Sequence, residues 1–105
     1  MSDKLDAAFA KFHLANPRVW EMYKSLAMKR YAVGYRRGSS EQMIQVIRWE
    51  MDLQTFTTDG FKISNNHRKR YALKLATESP EFRTFFEFRP KPDWDKIDRE
   101  RNGEA

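Results

Sequence analysis

Cysteine is absent from this 105-residue chain. Disulfides, a thiolate metal site and a thiol nucleophile are thereby excluded, and a reducing, cytoplasmic setting fits. Histidine is nearly as scarce. His13 and His67 stand alone, and neither has a second ligand at the spacing a metal site needs. No apolar run approaches the roughly 20 residues of a membrane-spanning helix. Met1-Ser2-Asp3-Lys4 also lacks the cationic-then-apolar layout of a signal peptide. The four glycines form no phosphate-cradling loop, and no nucleophile elbow or histidine-rich nuclease pattern is present. Glu50, Asp52 and Asp59 are the close acids that a small magnesium nuclease would use. They read better as the wet side of a helix and a turn residue. The expectation is a protein that is not an enzyme and holds no cofactor or metal.

What the chain does have is positive charge, +5 in all, and it is blocked rather than scattered. Residues 18–37 sum to +5, residues 38–61 to −3, and residues 62–74 to +5 with no acid among them. The flanking segments are near neutral. Two basic blocks separated by an acidic one suit an anionic partner, of which nucleic acid is the commonest.

The order of elements follows from spacing and punctuation. Leu5, Ala8, Phe9 and Phe12 predict a first helix over 3–14. Asn16-Pro17 reads as a cap and first helical position, and Gly34 as the stop of a second helix from Pro17 to Val33. Its inner face is Val19, Trp20, Tyr23, Leu26, Ala27 and Tyr31. Ser39-Ser40-Glu41-Gln42 fits a capping box. The third helix, to Leu53, carries Met43, Ile44, Val46, Ile47, Trp49 and Met51, enough to make it the central core helix. Thr55-Phe56-Thr57-Thr58, Asp59-Gly60 and the alternating Phe61-Lys62-Ile63 predict a short β-hairpin. A fourth helix runs from Ser64 or Asn65 to Glu78, and Ser79-Pro80 starts a short fifth. The fold expected is mainly α: about five helices with one hairpin in residues 1–89, and a flexible charged tail over 90–105, anchored by Trp94 and Ile97.

Helix, turn, helix and hairpin is the order of a winged helix-turn-helix. The third helix, with Glu41, Glu50 and Asp52 against Arg48, is a poor groove reader. The better candidate is the start of the fourth helix. There Asn65, Asn66, His67, Arg68, Lys69 and Arg70 gather amides and cations at a positive dipole end. Lys62 on the hairpin, Lys74 one turn on, and Arg36 and Arg37 in the earlier loop complete the set. Arginine and lysine would hold phosphate. Asn65 and Asn66 would pair with base edges, or Asn65 would only cap its helix. The bland alternative is a solvated basic face. Trp20, Tyr23, Tyr31, Tyr35 and Trp49 interleave with cations as single-strand platforms do. Helical spacing makes most of them core instead. Phe82, Phe85, Phe86 and Phe88 are more apolar surface than a short helix easily buries, so some of them are expected to pack on the core and some to form a partner or dimer surface.

Residues 59–66 (Asp59-Gly60-Phe61-Lys62-Ile63-Ser64-Asn65-Asn66), the Arg70-Tyr71-Ala72 step, Ser79-Pro80-Glu81-Phe82 and Phe86-Glu87-Phe88-Arg89 resemble a group of small proteins of tailed phages and prophages. The likeness extends back through Ile47-Arg48-Trp49-Glu50 to Phe12, and covers most of residues 9–89. It implies a phage-type protein in the host cytoplasm, but no site residues. The leading expectation is DNA binding, to duplex, through the two basic blocks. The alternative is a protein-interaction module, such as a phage inhibitor docking on a host protein through the phenylalanines.

Overall fold

Five α-helices account for the regular structure of the computed structural model, which describes residues 2–56, 58 and 60–102. They are α1 (Ser2–Ala15), α2 (Pro17–Val33), α3 (Ser40–Gln54), α4 (His67–Glu78) and α5 (Trp94–Asn102), with a 3₁₀ turn at Pro80–Phe82 between the last two. None of the described helices is long and apolar enough to cross a membrane.

α2 and α3 end where chain chemistry ends them. Pro17 opens α2, and Gly34 at φ 124° closes it. The Tyr35 N–H reaches the Arg30 carbonyl (3.3 Å) and the Gly34 N–H that of Tyr31 (3.0 Å), the paired bonds of a Schellman motif. Ser39 caps α3 by accepting from the Gln42 N–H at 3.2 Å. Asn16 does not cap α2. Its side chain turns back and donates to the Phe12 carbonyl at 3.0 Å, finishing α1 instead.

The core lies where α2, α3 and α4 meet. Val19, Tyr23 and Ala27 from α2, Ile44 and Ile47 from α3, and Tyr71, Leu75 and Ala76 from α4 are buried there. α1 covers one side with Phe9 and Phe12. The Phe9 ring meets Tyr71 edge-on at 4.8 Å between centroids.

The hairpin is not formed: among the described residues there is no strand at all. Thr57 and Asp59, the latter half of the expected turn, lie outside the described residues. The reason is visible on both arms. Thr55 ends α3, its N–H and its hydroxyl both donating to the Met51 carbonyl at 2.8 Å. The second arm spends its backbone on side chains of α3. Asp52 accepts the Phe61 N–H, and Arg48 donates to the Ile63 carbonyl. The in–out alternation of Phe61, Lys62 and Ile63 is real, with Ile63 buried and Lys62 exposed, but it is written against the helical core and not against a partner strand. With no wing, the winged helix-turn-helix assignment falls.

Two further expectations change. α3 is only half a core helix. Met43, Ile44, Ile47 and Met51 are buried, whereas Trp49 is 65% and Leu53 68% exposed. The phenylalanines change the other way: Phe82, Phe85 and Phe86 are 1%, 2% and 5% exposed, and Phe88 packs on their cluster. Tyr31 from α2 and the rings of Phe82, Phe85 and Phe86 meet one another tilted or edge-on at 5.1–6.5 Å. Phe82, Phe85 and Phe86 are core, and Phe88 is half-buried beside them.

In the segment expected as tail, α5 is tied to α4. The Arg83 guanidinium forks onto Asp98 at 2.7 and 2.9 Å and donates to the Ala76 carbonyl at 2.9 Å and that of Thr77 at 3.3 Å. It thereby satisfies carbonyls in the last turn of α4. The Trp94 ring lies 4.5 Å from the same guanidinium and meets Phe88 edge-on.

Candidate nucleic-acid interface

The basic residues divide into groups according to which way α4 points them. Arg68 and Lys69 are exposed on the side toward the 36–40 loop. Arg70 and Lys74 turn toward α1. Arg70 pairs with Asp6 at 2.8 Å and keeps 17% of its side chain exposed. Lys74 pairs with Glu78 at 2.8 Å and hangs over the Trp20 ring. Arg70 serves the α1–α4 contact, and Lys74 lies over the Trp20 ring of α2.

Three of the other expected residues are committed to structure. His67 is 6% exposed and packs against the Phe12 ring at 4.9 Å. Burial, with Arg70 beside it, holds its pKa below the ordinary 6.5, so it stays neutral and is a poor phosphate donor. Asn65 neither caps α4 nor has a free carbonyl: its Oδ1 accepts from Arg48 at 2.9 Å. Arg36 lies flat on Tyr31, 3.9 Å from the ring, and donates to the Tyr31 and Tyr35 carbonyls. Lys62 and the Asn66 side chain remain exposed.

The amino end of α4 is also less open to an anion than a bare helix start. The Asn66 N–H goes to the Ser64 hydroxyl, the His67 N–H to the Ser64 carbonyl, and the Arg68 N–H to the Asn65 carbonyl. The donors that would cradle a phosphate are occupied by the preceding turn.

What the fold does bring together is the 36–40 loop and the first turn of α4. The Ser40 hydroxyl donates to the Arg68 carbonyl at 2.6 Å. A serine has one hydroxyl proton, so the Tyr23 hydroxyl, 2.6 Å from Ser40 Oγ, is the donor of that second bond. Burial pushes the Tyr23 pKa up, keeping the phenol protonated for that role. On the other side of the loop, the Gly38 N–H donates to the Phe85 carbonyl at 2.9 Å. A Cβ on Gly38 would stand 2.2 Å from Phe85 Cε2, so only glycine lets the loop lie this low.

Two hollows open on either side of this junction and share Gly38, Glu87 and Phe88. One, of about 390 Å³, is lined by Arg37, Arg83 and Lys91; the other, of about 420 Å³, by Arg68, Lys69 and Glu41. Together they form a furrow with five cations and two acids on its walls. Glu41 stands 4.0 Å from Arg68, and Glu87 pairs with Arg89. Exposed pairs of this kind hold their cations weakly. Arg83 and Lys91 were missed in the sequence. A cation shortly after the end of α4 is the signal that marks Arg83, through its affinity for last-turn carbonyls; Lys91 carries no local signal. Among the described residues no three His, Asp or Glu converge as a metal site would require.

Comparison with protein-family models, with curated proteins and with solved structures finds no match to this chain.

Proposed function

We propose that this chain binds DNA through the furrow between the 36–40 loop and the first turn of α4. The observation that carries the reading is the Ser40–Arg68 hydrogen bond. It joins two basic blocks well separated in sequence into one surface with Arg37, Arg68, Lys69 and Lys91 along it. A concave run of exposed guanidinium and ammonium groups suits a phosphate backbone, which such groups hold without reading sequence. Base reading by Asn65 is not part of the proposal, because its carbonyl is already taken by Arg48. Asn66, exposed and without a side-chain partner among the described residues, stays a candidate.

Fluorescence anisotropy with labelled duplex and single-stranded DNA over a salt series tests this. Binding should tighten steeply as salt falls. Replacing Arg37, Arg68 and Lys69 together with alanine should lower the salt slope by up to about 3, at about 0.9 for each phosphate no longer neutralised. Replacing Arg70 and Lys74, which face α1, should leave the slope unchanged. No binding at low salt, or equal effects of the two sets, overturns the proposal.

A further inference from the structure

On another face, α2 and α3 leave a groove that no described element covers. Its middle is Val46, Leu26 and Lys29, where two hollows of about 350 and 410 Å³ meet. Val46 is 39% exposed and Val33, at one end, 76%; Leu53, seven residues past Val46 on α3 and so on the same face of that helix, is 68% exposed. None of the furrow's cations lines it.

The charge along the groove is uneven. Glu21, paired with Lys24, and Glu50 line one end; Arg30, which donates to the Arg37 carbonyl, lines the other; and Lys29, in the middle, lies three residues past Leu26 toward the Arg30 end. Neither Glu50 nor Lys29 has an ion-pair partner among the described residues. We propose that a second copy of this chain covers the groove, turned end for end about a two-fold axis at Val46.

The spacing carries the proposal. α2 and α3 run in opposite directions along the groove, since its lining pairs Met22 with Glu50 at one end and Val33 with Gln42 at the other. Glu50 lies four residues past Val46 toward the acidic end, and Arg30 four past Leu26 toward the basic end. At 1.5 Å per residue both stand about 6 Å from the axis. Leu53 and Val33 lie seven residues out on opposite sides, each about 10 Å away. A two-fold rotation therefore lays Glu50 near Lys29 and Arg30 of the second copy, and Leu53 near its Val33. A partner of one sign would be repelled at one end of this groove. A second copy meets opposite charge at both, as an isologous interface requires.

Sedimentation velocity of the full chain, from low to high micromolar, tests this. Wild type should reach twice the chain mass. Val46→Asp should raise the dimer dissociation constant roughly a hundredfold, because it would bury an unpaired carboxylate. Glu50→Lys and Lys29→Glu should each weaken the dimer about tenfold, as loss of interfacial charge pairs does, and the double exchange should restore it. Circular dichroism should show unchanged helix content in the exposed-charge variants. A wild-type monomer at every concentration, or a dimer indifferent to both Val46→Asp and Glu50→Lys, overturns the proposal. Since these residues lie outside the basic furrow, DNA binding can fail while dimerisation holds, or the reverse.

Discussion

His13, His67 and Tyr71 share one property: His13 Nδ1, His67 Nδ1 and the Tyr71 hydroxyl are buried with no hydrogen-bond partner among the described residues. All three sit between α1 and α4 among aromatic rings, with His13 stacked on Phe9 at 5.6 Å and edge-on to Tyr71 at 6.1 Å. An unmade hydrogen bond of this kind costs about 1–3 kcal/mol. Burial pushes the Tyr71 phenol up to about 12. It pulls both imidazoles below 6.5; Lys74 adds to the effect at His13 and Arg70 at His67, while Glu78 opposes it at His13. The unfolded chain, with ordinary histidines, therefore takes up protons first as pH falls below about 6.5. Stability is full above that pH, declines below it, and levels off beneath the depressed folded values. Thermal unfolding followed by circular dichroism should show a melting temperature that falls from about pH 7 to about pH 5. His67→Phe, which removes one titrating ring and one orphaned nitrogen, should have a shallower decline than wild type. Nothing in the sequence distinguishes these histidines from surface ones. His67 sits beside three cations, and only the turn of α4 puts its ring inward while Arg68 and Lys69 face out.

At the scale of elements, α2 was legible at both ends because proline and glycine bracket it, and α3 at its start because Ser39 supplies the cap. The hairpin was misread because alternation reports a chain lying on an apolar surface, and here that surface is helical. The many apolar positions of α3 were also ambiguous. Periodicity counts apolar positions, but it does not say that Trp49 and Leu53 face outward. The Phe82–Phe88 run misled in the opposite direction: a short element cannot bury four rings by itself, yet Tyr31 and the α4 surface arrive to cover them. α5 is held by Arg83, by the Arg101 guanidinium donating to the Thr77 carbonyl at 2.8 Å, and by Trp94 against Phe88. The hydrogen bonds from Arg83 hold the Asp98 carboxyl below the usual carboxylate range. Its pairing therefore helps at neutral pH and is lost as pH falls through that lowered value. Arg83→Ala should loosen α5, which keeps the Arg101–Thr77 bond, and uncover the Ala76 carbonyl. Native-state hydrogen exchange should show α5 amides losing protection, with the α2–α3–α4 core nearly unchanged. Asp98→Asn should give a milder form of the same pattern.

Over the whole molecule, the two basic blocks could be read as charge, but not as geometry. Sequence places Arg68 beside Arg70; the fold sends one to the loop and the other to α1. The junction that decides this runs through Tyr23, Ser40 and Arg68, three residues on three helices, none of which announces the others. The same holds for Gly38 and Phe85, far apart in the chain yet in closer contact than a methyl group permits. Gly38→Ala should destabilise the fold, through the displaced ring and lifted loop, by about 1–3 kcal/mol, as overpacking does. Phe85→Leu should cost a similar amount by leaving a void. Combined, the two should cost less than their sum, a coupling that a double-mutant cycle of denaturant midpoints would measure. Positions 38 and 85 are therefore free to vary only as a pair. Related chains that carry a side chain at the first should have lost bulk at the second, leaving a covariation that an alignment would expose without any coordinates.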